Sequence, residues 1–190
     1  MDVILFGPPG AGKGTQAGRV SDALNIPHVS TGDLFRKNLK ENTALGQLAR
    51  SFMDKGELVP DEVVFRLVED RLGEDDAMKG ALYDGFPRTV IQADLLNRFL
   101  IGQGRGISAV INLNVPDEVL MARIARRREV SQRVDDDAEV VQKRLQVYHT
   151  ETAPVLGWLR EHANVIDIDA TKSIEEVGES ISAALESLRG

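Results

Sequence analysis

Cysteine is absent from the chain, which excludes structural disulfides, cysteine-based zinc sites and thiol catalysis. Positive charge is in deficit. The 23 lysines and arginines stand against 30 aspartates and glutamates, and the net charge of -7 argues against non-specific binding to nucleic acid. A local basic cluster is therefore informative, because it is not a by-product of a basic chain. Apolar runs of membrane length are missing, and no basic residue precedes the short apolar run after Met1-Asp2. Neither a signal peptide nor a membrane span is expected, so the expected setting is soluble and cytoplasmic. Internal repeats and low-complexity segments are also lacking. The 190 residues fit one domain by length, with room for inserted subdomains and a core that needs no staples.

What the chain does have is concentrated first at Gly7–Thr15, GPPGAGKGT. The apolar run Val3-Ile4-Leu5-Phe6 precedes it and a helical pattern follows, giving strand, glycine loop and helix. Glycines let successive backbone N–H groups turn into one concavity, and the helix N-terminus adds partial positive charge there. Lys13 supplies a full charge where β- and γ-phosphates would sit, and the spacing from Gly7 through Gly12 to Lys13 fits G-x-x-x-x-G-K. The position after the lysine departs from the usual pattern. It is Gly14, with the hydroxyl one place later at Thr15, which weakens the case for a direct Mg²⁺ ligand at that point.

Strands alternate with helices along the rest of the chain, so the class is α/β with a parallel sheet. A helix is expected over 13–24, ended by Asn25-Ile26-Pro27, then a short strand at 28–30 and a turn in which Asp33 caps the next helix. Further helices are expected over 44–54 and from Pro60-Asp61 onward, with apolar spacing at Val63, Val64, Leu67, Val68 and Leu72. Residues 30 to about 73 thus read as a helical insertion. Strands follow at 81–84, 107–113 and 165–168, and helices at 91–101, from Pro116 to about Arg128, and from about Ala138 to a break at Pro154. Ser173 and Glu176 form a capping box for a last helix whose apolar face is Ile174, Val177, Ile181, Leu185 and Leu188.

Three further groups carry chemistry. Asp84 ends a strand and runs into Gly85-Phe86-Pro87-Arg88. A carboxylate at a strand's C-terminal end can orient Mg²⁺ or its waters beside nucleotide phosphates, and an arginine forks onto phosphate through two parallel hydrogen bonds. Arg123, Arg126, Arg127, Arg128 and Arg133 crowd into eleven residues, with Arg144 further on; Arg123 and Arg127 share a helix face, whereas Arg126 and Arg128 read as solvated. Such a focused positive site suits phosphoryl transfer. Thr31, Arg36, Arg88 and Gln92 together offer a hydroxyl, two guanidinium groups and an amide. That set can read one phosphate and one base, the amide's donor and acceptor matching the adenine edge.

The motifs GPPGAGKGTQA, PHVSTGDLFR, GELVPDEV and DGFPRTVIQA, the Arg123/Arg127 pair and Arg133-Val134-Asp135-Asp136 stand in one order and spacing that resembles the adenylate kinases, in their short-lid form. The match runs nearly end to end. The resemblance implies a P-loop nucleoside monophosphate kinase fold: a five-stranded parallel sheet flanked by helices in a single kinase domain, 1–190. Its core would be 1–29, 60–125 and 137–190, its AMP-binding insert 30–59 and its lid 126–136. It implies ATP on Gly10, Ala11, Gly12, Lys13, Gly14 and Thr15, with Arg127 on the ATP side and Lys172 near the ATP base. AMP falls to Thr31, Arg36, Glu57, Leu58, Val59, Gly85, Phe86, Pro87, Arg88 and Gln92, with Arg133 and Arg144 across the reaction centre. Lys13, Arg88, Arg127, Arg133 and Arg144 would be the catalytic set. The implied reaction is reversible transfer of the γ-phosphoryl of MgATP to AMP, giving two ADP. Mg²⁺ would ride on the phosphates, helped by Asp84 through water. The implied protein is a cytoplasmic monomer without nucleic-acid or membrane partners. A zinc-holding lid is not expected, since fewer than a dozen residues separate Arg127 from Asp137 and cysteine is absent. Two alternatives stay open at this point. A pyrimidine nucleoside monophosphate kinase resembles the chain in the phosphate loop and DGFPR but usually differs where Thr31 and Gln92 stand. A nucleotide-dependent switch would lack the acceptor-side residues.

Overall fold

The apolar run at the start of the chain forms the central strand of the molecule. The structure, a computed structural model, describes residues 1–131 and 137–188, the last three of the first segment by backbone alone. Strand β1 (Asp2–Phe6) is buried along its whole length, as a strand covered on both faces must be. It lies between β3 (Leu82–Asp84) and β4 (Ile107–Asn114); β2 (His28–Ser30) pairs with β3, and β5 (Asn164–Asp169) with β4. All four pairings are parallel, in the order β2-β3-β1-β4-β5.

Alternation along β1 divides the core in two. Ile4 and Phe6 point to a cluster with Tyr83, Val110, Val68 and Leu96, while Val3 and Leu5 point to one with Ala17, Ile111, Leu120 and Ile181. The first face is covered by α4 (Asp61–Leu72), α5 (Val90–Gly102) and α8 (Val155–His162), and the second by α1 (Lys13–Leu24), α6 (Asp117–Ser131) and α9 (Ile174–Ser187). Each fully buried large aliphatic side chain contributes about 1.5–3 kcal/mol relative to exposure, so the doubly covered sheet holds the loops at its ends in place. Helices α2 (Thr31–Lys40) and α3 (Ala44–Met53) follow β2 directly. They approach so closely that a Cβ on Gly46 would run into the backbone carbonyl of Asn38. Helix α7 (Ala138–Val147) continues through a π-helical turn, Tyr148–Thr152, into α8, so the chain bends ahead of Pro154.

Local signals mostly act as expected, with three differences. Helix α2 is capped by Ser30, not Asp33: Ser30 Oγ accepts from the Asp33 N–H at 3.2 Å, and Asp33 sits in the first turn, where its charge suits the dipole. Helix α1 stops on Asn25 itself, which adopts a left-handed conformation and donates its N–H to the carbonyls of Ser21 and Asp22. The capping box of Ser173 and Glu176 is present, but Ile174 is exposed because it lies in the first turn, ahead of the packed face at Val177, Ile181 and Leu185. No helix among the described residues is long and apolar enough to cross a membrane.

Candidate active site

The carboxyl ends of β1, β2 and β3 all open into the same region, where open parallel sheets receive ligands. The loop after β1 meets that after β3 there, and α2 begins at the end of β2. Gly12 precedes α1 with φ +97°, a left-handed conformation that glycine adopts without steric cost, so the loop can turn directly into the helix. Gly10 is required for space as well, since a Cβ there would stand 2.8 Å from Ile124 Cγ1 on α6. Ala11 is buried and its N–H donates to the Pro8 carbonyl; Gly14 and Thr15 are exposed at the start of α1, and Thr15 donates its N–H to Gly12.

Lys13 folds back over this loop. Its Nζ donates to the carbonyls of Gly7 at 2.7 Å and Pro8 at 2.9 Å. Burial lowers its pKa to about 8; Asp84 works against that shift, and Arg88, Arg144 and Arg127 add to it. An ammonium whose charge is disfavoured by burial and by three arginines is poised for an anion. Asp84 closes the other side of the loop, 3.8 Å from where a Cβ on Gly14 would be. Burial alone would favour its neutral form. The hydrogen bond from His28, whose Nε2 lies 3.3 Å from Oδ2, outweighs burial together with Lys13 and Arg88, so the carboxyl titrates below the usual range. That ionised carboxylate fits a Mg²⁺ ion carried on phosphates. Among the described residues no cluster of three histidine, aspartate or glutamate side chains could hold a metal by itself.

Thr31, Arg36, Arg88 and Gln92, up to 61 positions apart in the chain, line one cavity. The segment Glu57, Leu58 and Val59 and the α2 and α3 side chains Phe35 and Met53 complete its wall. Thr31 Oγ1 donates to the Gly85 carbonyl at 2.9 Å, and Arg88 Nε donates to the same oxygen at 2.7 Å. Arg36 pairs with Asp33 on its own helix. Gln92 is buried at the floor: Oε1 accepts from the Arg88 N–H at 2.8 Å, and Nε2 donates to Asp61 Oδ1 at 2.8 Å.

A second cavity runs from Lys13 and Gly7 past Phe86 and Pro87 to Tyr148 and Thr152. Gly56, Leu58, Gly85, Arg88 and Arg144 line both cavities, so two arginines stand on the wall between them. Helix α7 delivers Arg144 there, starting from an N-cap in which Asp137 Oδ1 accepts from the Glu139 N–H at 3.3 Å.

The arginine-rich helix α6 divides as its periodicity predicts. Arg123 and Arg127 are partly buried, while Arg126 and Arg128 are exposed and Arg128 pairs with Asp137 at 3.0 Å. Arg123 reaches the Thr171 carbonyl at 3.5 Å, beside Lys172, which is exposed in the turn between β5 and α9. Arg133 and the second part of the expected lid, residues 132–136, lie outside the described residues. Sequence reasoning missed His28, Asp61, Tyr148 and Thr152. Asp61 carried a signal, being an aspartate directly after a proline at a helix start, but that pattern reads equally well as capping.

A family model described as adenylate kinase matches residues 5–164. The chain is 46% identical to the adenylate kinase of Caldanaerobacter subterraneus subsp. tengcongensis, over 97% of this chain and 96% of that one. It is 44% identical to that of Methanosarcina acetivorans (97% and 98%) and 43% identical to that of Streptomyces avermitilis (97% and 97%). The first of these alignments spans 212 positions, more than the 190 residues here, so gaps fall on this chain's side. With a phosphate loop and a separate polar cavity meeting across shared arginines, and with relatives matching over nearly the whole chain, the protein belongs to the adenylate kinase family.

Proposed function

We propose that the enzyme transfers the γ-phosphoryl group of MgATP to AMP, reversibly, yielding two ADP. The observation that carries this reading is the wall common to the two cavities, where Arg88 and Arg144 face both. Donor phosphates rest on Gly10 to Thr15 under Lys13, with Arg127 on the same side and Lys172 by the base. AMP occupies the other cavity, its phosphate on Arg36 and Arg88 and its base toward Gln92 and the Glu57–Val59 segment. Thr31 holds the Gly85 turn that brings Arg88 to this position.

The protein forms no covalent intermediate in this scheme. It aligns donor and acceptor and neutralises charge on the transferring group with Lys13, Arg88, Arg127, Arg133 and Arg144. Mg²⁺ bound to the ATP phosphates supplies further charge neutralisation, and Asp84 holds it through water. Phosphate oxygens reaching Lys13 favour its charged form and reverse the effect of burial. In this reading the core is 1–29, 60–125 and 137–190, the AMP-binding insert 30–59 and the lid 126–136, in a cytoplasmic monomer.

A coupled assay with MgATP and a panel of monophosphates tests the assignment. A site that hydrogen-bonds a base rejects bases that leave its polar groups unpaired. AMP is expected to exceed CMP and UMP in kcat/KM by at least about 10²-fold, and Gln92→Ala to narrow that gap through KM for AMP. Equal rates with CMP and AMP would assign the enzyme to the pyrimidine kinases. ATP binding with no acceptor phosphorylated would assign it to the switches.

A further inference from the structure

Gln92 faces the acceptor cavity with an amide whose two ends differ in hydrogen-bonding sense, so its usefulness depends on which way round it is held. An amide that turns freely presents a donor or an acceptor to the same point of a ligand. Gln92 is 1% exposed, and both ends of its side chain are engaged by groups of fixed sense. At one end the Arg88 backbone N–H, which can only donate, lies 2.8 Å from Oε1. At the other, Asp61 Oδ1 lies 2.8 Å from Nε2. A carboxylate offers only acceptors. Turning the amide over would set oxygen against carboxylate oxygen and N–H against N–H.

The same Asp61 oxygen fixes the hydroxyl beneath. Thr89 Oγ1 donates to Asp61 Oδ1 at 3.0 Å, and its lone pair therefore accepts the Gln92 N–H at 3.1 Å, which caps α5. Asp61 thus holds both the backbone turn from which Gln92 springs and the amide at its tip, from the first residue of α4, 31 positions away. This leaves Gln92 with one amide hydrogen and one carbonyl lone pair, in a known order. Adenine presents a donor at N6 beside an acceptor at N1, whereas 6-oxopurines present the reverse order, an acceptor at O6 beside a donor at N1–H.

We propose that Asp61 is a positioning residue for acceptor choice: it locks the sense of the Gln92 amide and so sets the preference for a 6-aminopurine over a 6-oxopurine monophosphate. The inference rests on the reading that Gln92 faces the base of AMP. Its consequence is specific to one substrate and to one pair of bases. Loss of Asp61 removes one of the two groups that fix the amide, so that turning it over sacrifices only the Arg88 N–H contact; this weakens AMP and lowers the penalty against IMP and GMP, while the phosphate loop on the far side of the shared wall keeps its ATP.

The experiment compares kcat and KM for AMP, IMP and ATP in Asp61→Ala, Asp61→Asn, Gln92→Ala and the Asp61→Ala/Gln92→Ala double variant, each checked for folding by melting. The AMP-over-IMP ratio of kcat/KM is expected to fall at least about tenfold in Asp61→Ala, corresponding to about 1.4 kcal/mol. KM for AMP should rise more than kcat falls and more than KM for ATP rises. Asp61→Asn, which keeps an acceptor but can also donate, should lie between. In the Gln92→Ala background Asp61→Ala should leave the ratio where it is. Should the alanine variant fail to fold, the asparagine variant decides on the same ratio. If Gln92→Ala shifts the ratio and the Asp61 variants do not, the positioning role is wrong while the base site stands. If Gln92→Ala itself leaves KM for AMP unchanged, both fall.

Discussion

Lys13 carries the most direct prediction at the scale of single residues. Burial brings its pKa down to about 8 from an ordinary 10.5, so protonating it works against folding below about pH 8, and this penalty fades as pH rises from 8 toward 10.5. Lys13→Met should therefore not lower the melting temperature of the nucleotide-free protein at pH 7. It should lower kcat by at least about 10²-fold, since the charge it brings to the phosphates is lost. In the unmutated enzyme, kcat/KM for ATP should hold level up to about pH 8 and decline above it, because that ratio reports the free enzyme's titration. A folded variant with a near-normal rate, or a melting temperature several degrees lower at pH 7, would contradict this account. Much at this scale was legible in advance. Lys13 is set by local spacing within one turn of chain, and Thr31, Arg36, Arg88 and Gln92 were grouped by what their side chains can bind. The partners were not legible. His28 meets Asp84 across 56 positions and Asp61 meets Gln92 across 31, and both pairs depend on which strands and helices become neighbours.

The helical insertion after β2 makes a separate prediction, at the scale of elements. Gly46 lies where α3 crosses α2, and a methyl group there meets the backbone of Asn38 and Leu39, which cannot rotate out of the way as a side chain can. Gly46→Ala should cost about 1–3 kcal/mol, the usual range for overpacking. It should raise KM for AMP, because α2 and α3 carry Thr31, Arg36, Phe35 and Met53 of the cavity proposed for AMP, with less effect on ATP. Titration calorimetry with each nucleotide checks this, and equal losses for both would refute the division of labour. Element types and most bounds followed from apolar period and caps. The departures share a cause: which of two neighbouring polar residues caps a helix, Ser30 or Asp33, is settled by the direction in which β2 delivers the chain.

At the scale of the whole molecule, strand order decides what the site can be. The sequence implied a parallel sheet, but only the arrangement β2-β3-β1-β4-β5 brings the ends of β1, β2 and β3 together and leaves two cavities on one wall. Mg²⁺ belongs to the substrate in this account, with Asp84 acting through water. EDTA should stop the reaction, yet leave the melting temperature of the nucleotide-free protein unchanged. A lower melting temperature would reveal a structural metal.

In the proposed reaction one chain holds donor and acceptor at once, on opposite sides of Arg88 and Arg144. Calorimetry with an analogue that joins two adenosines through a chain of phosphates tests it most directly. Linked occupancy of two sites strengthens binding by about 10²–10⁴ over either site alone. One analogue is expected per chain, bound at least about 10²-fold more tightly than ATP or AMP, and weakened by Arg144→Ala. Two analogues per chain, or one bound no more tightly than ATP, would contradict it.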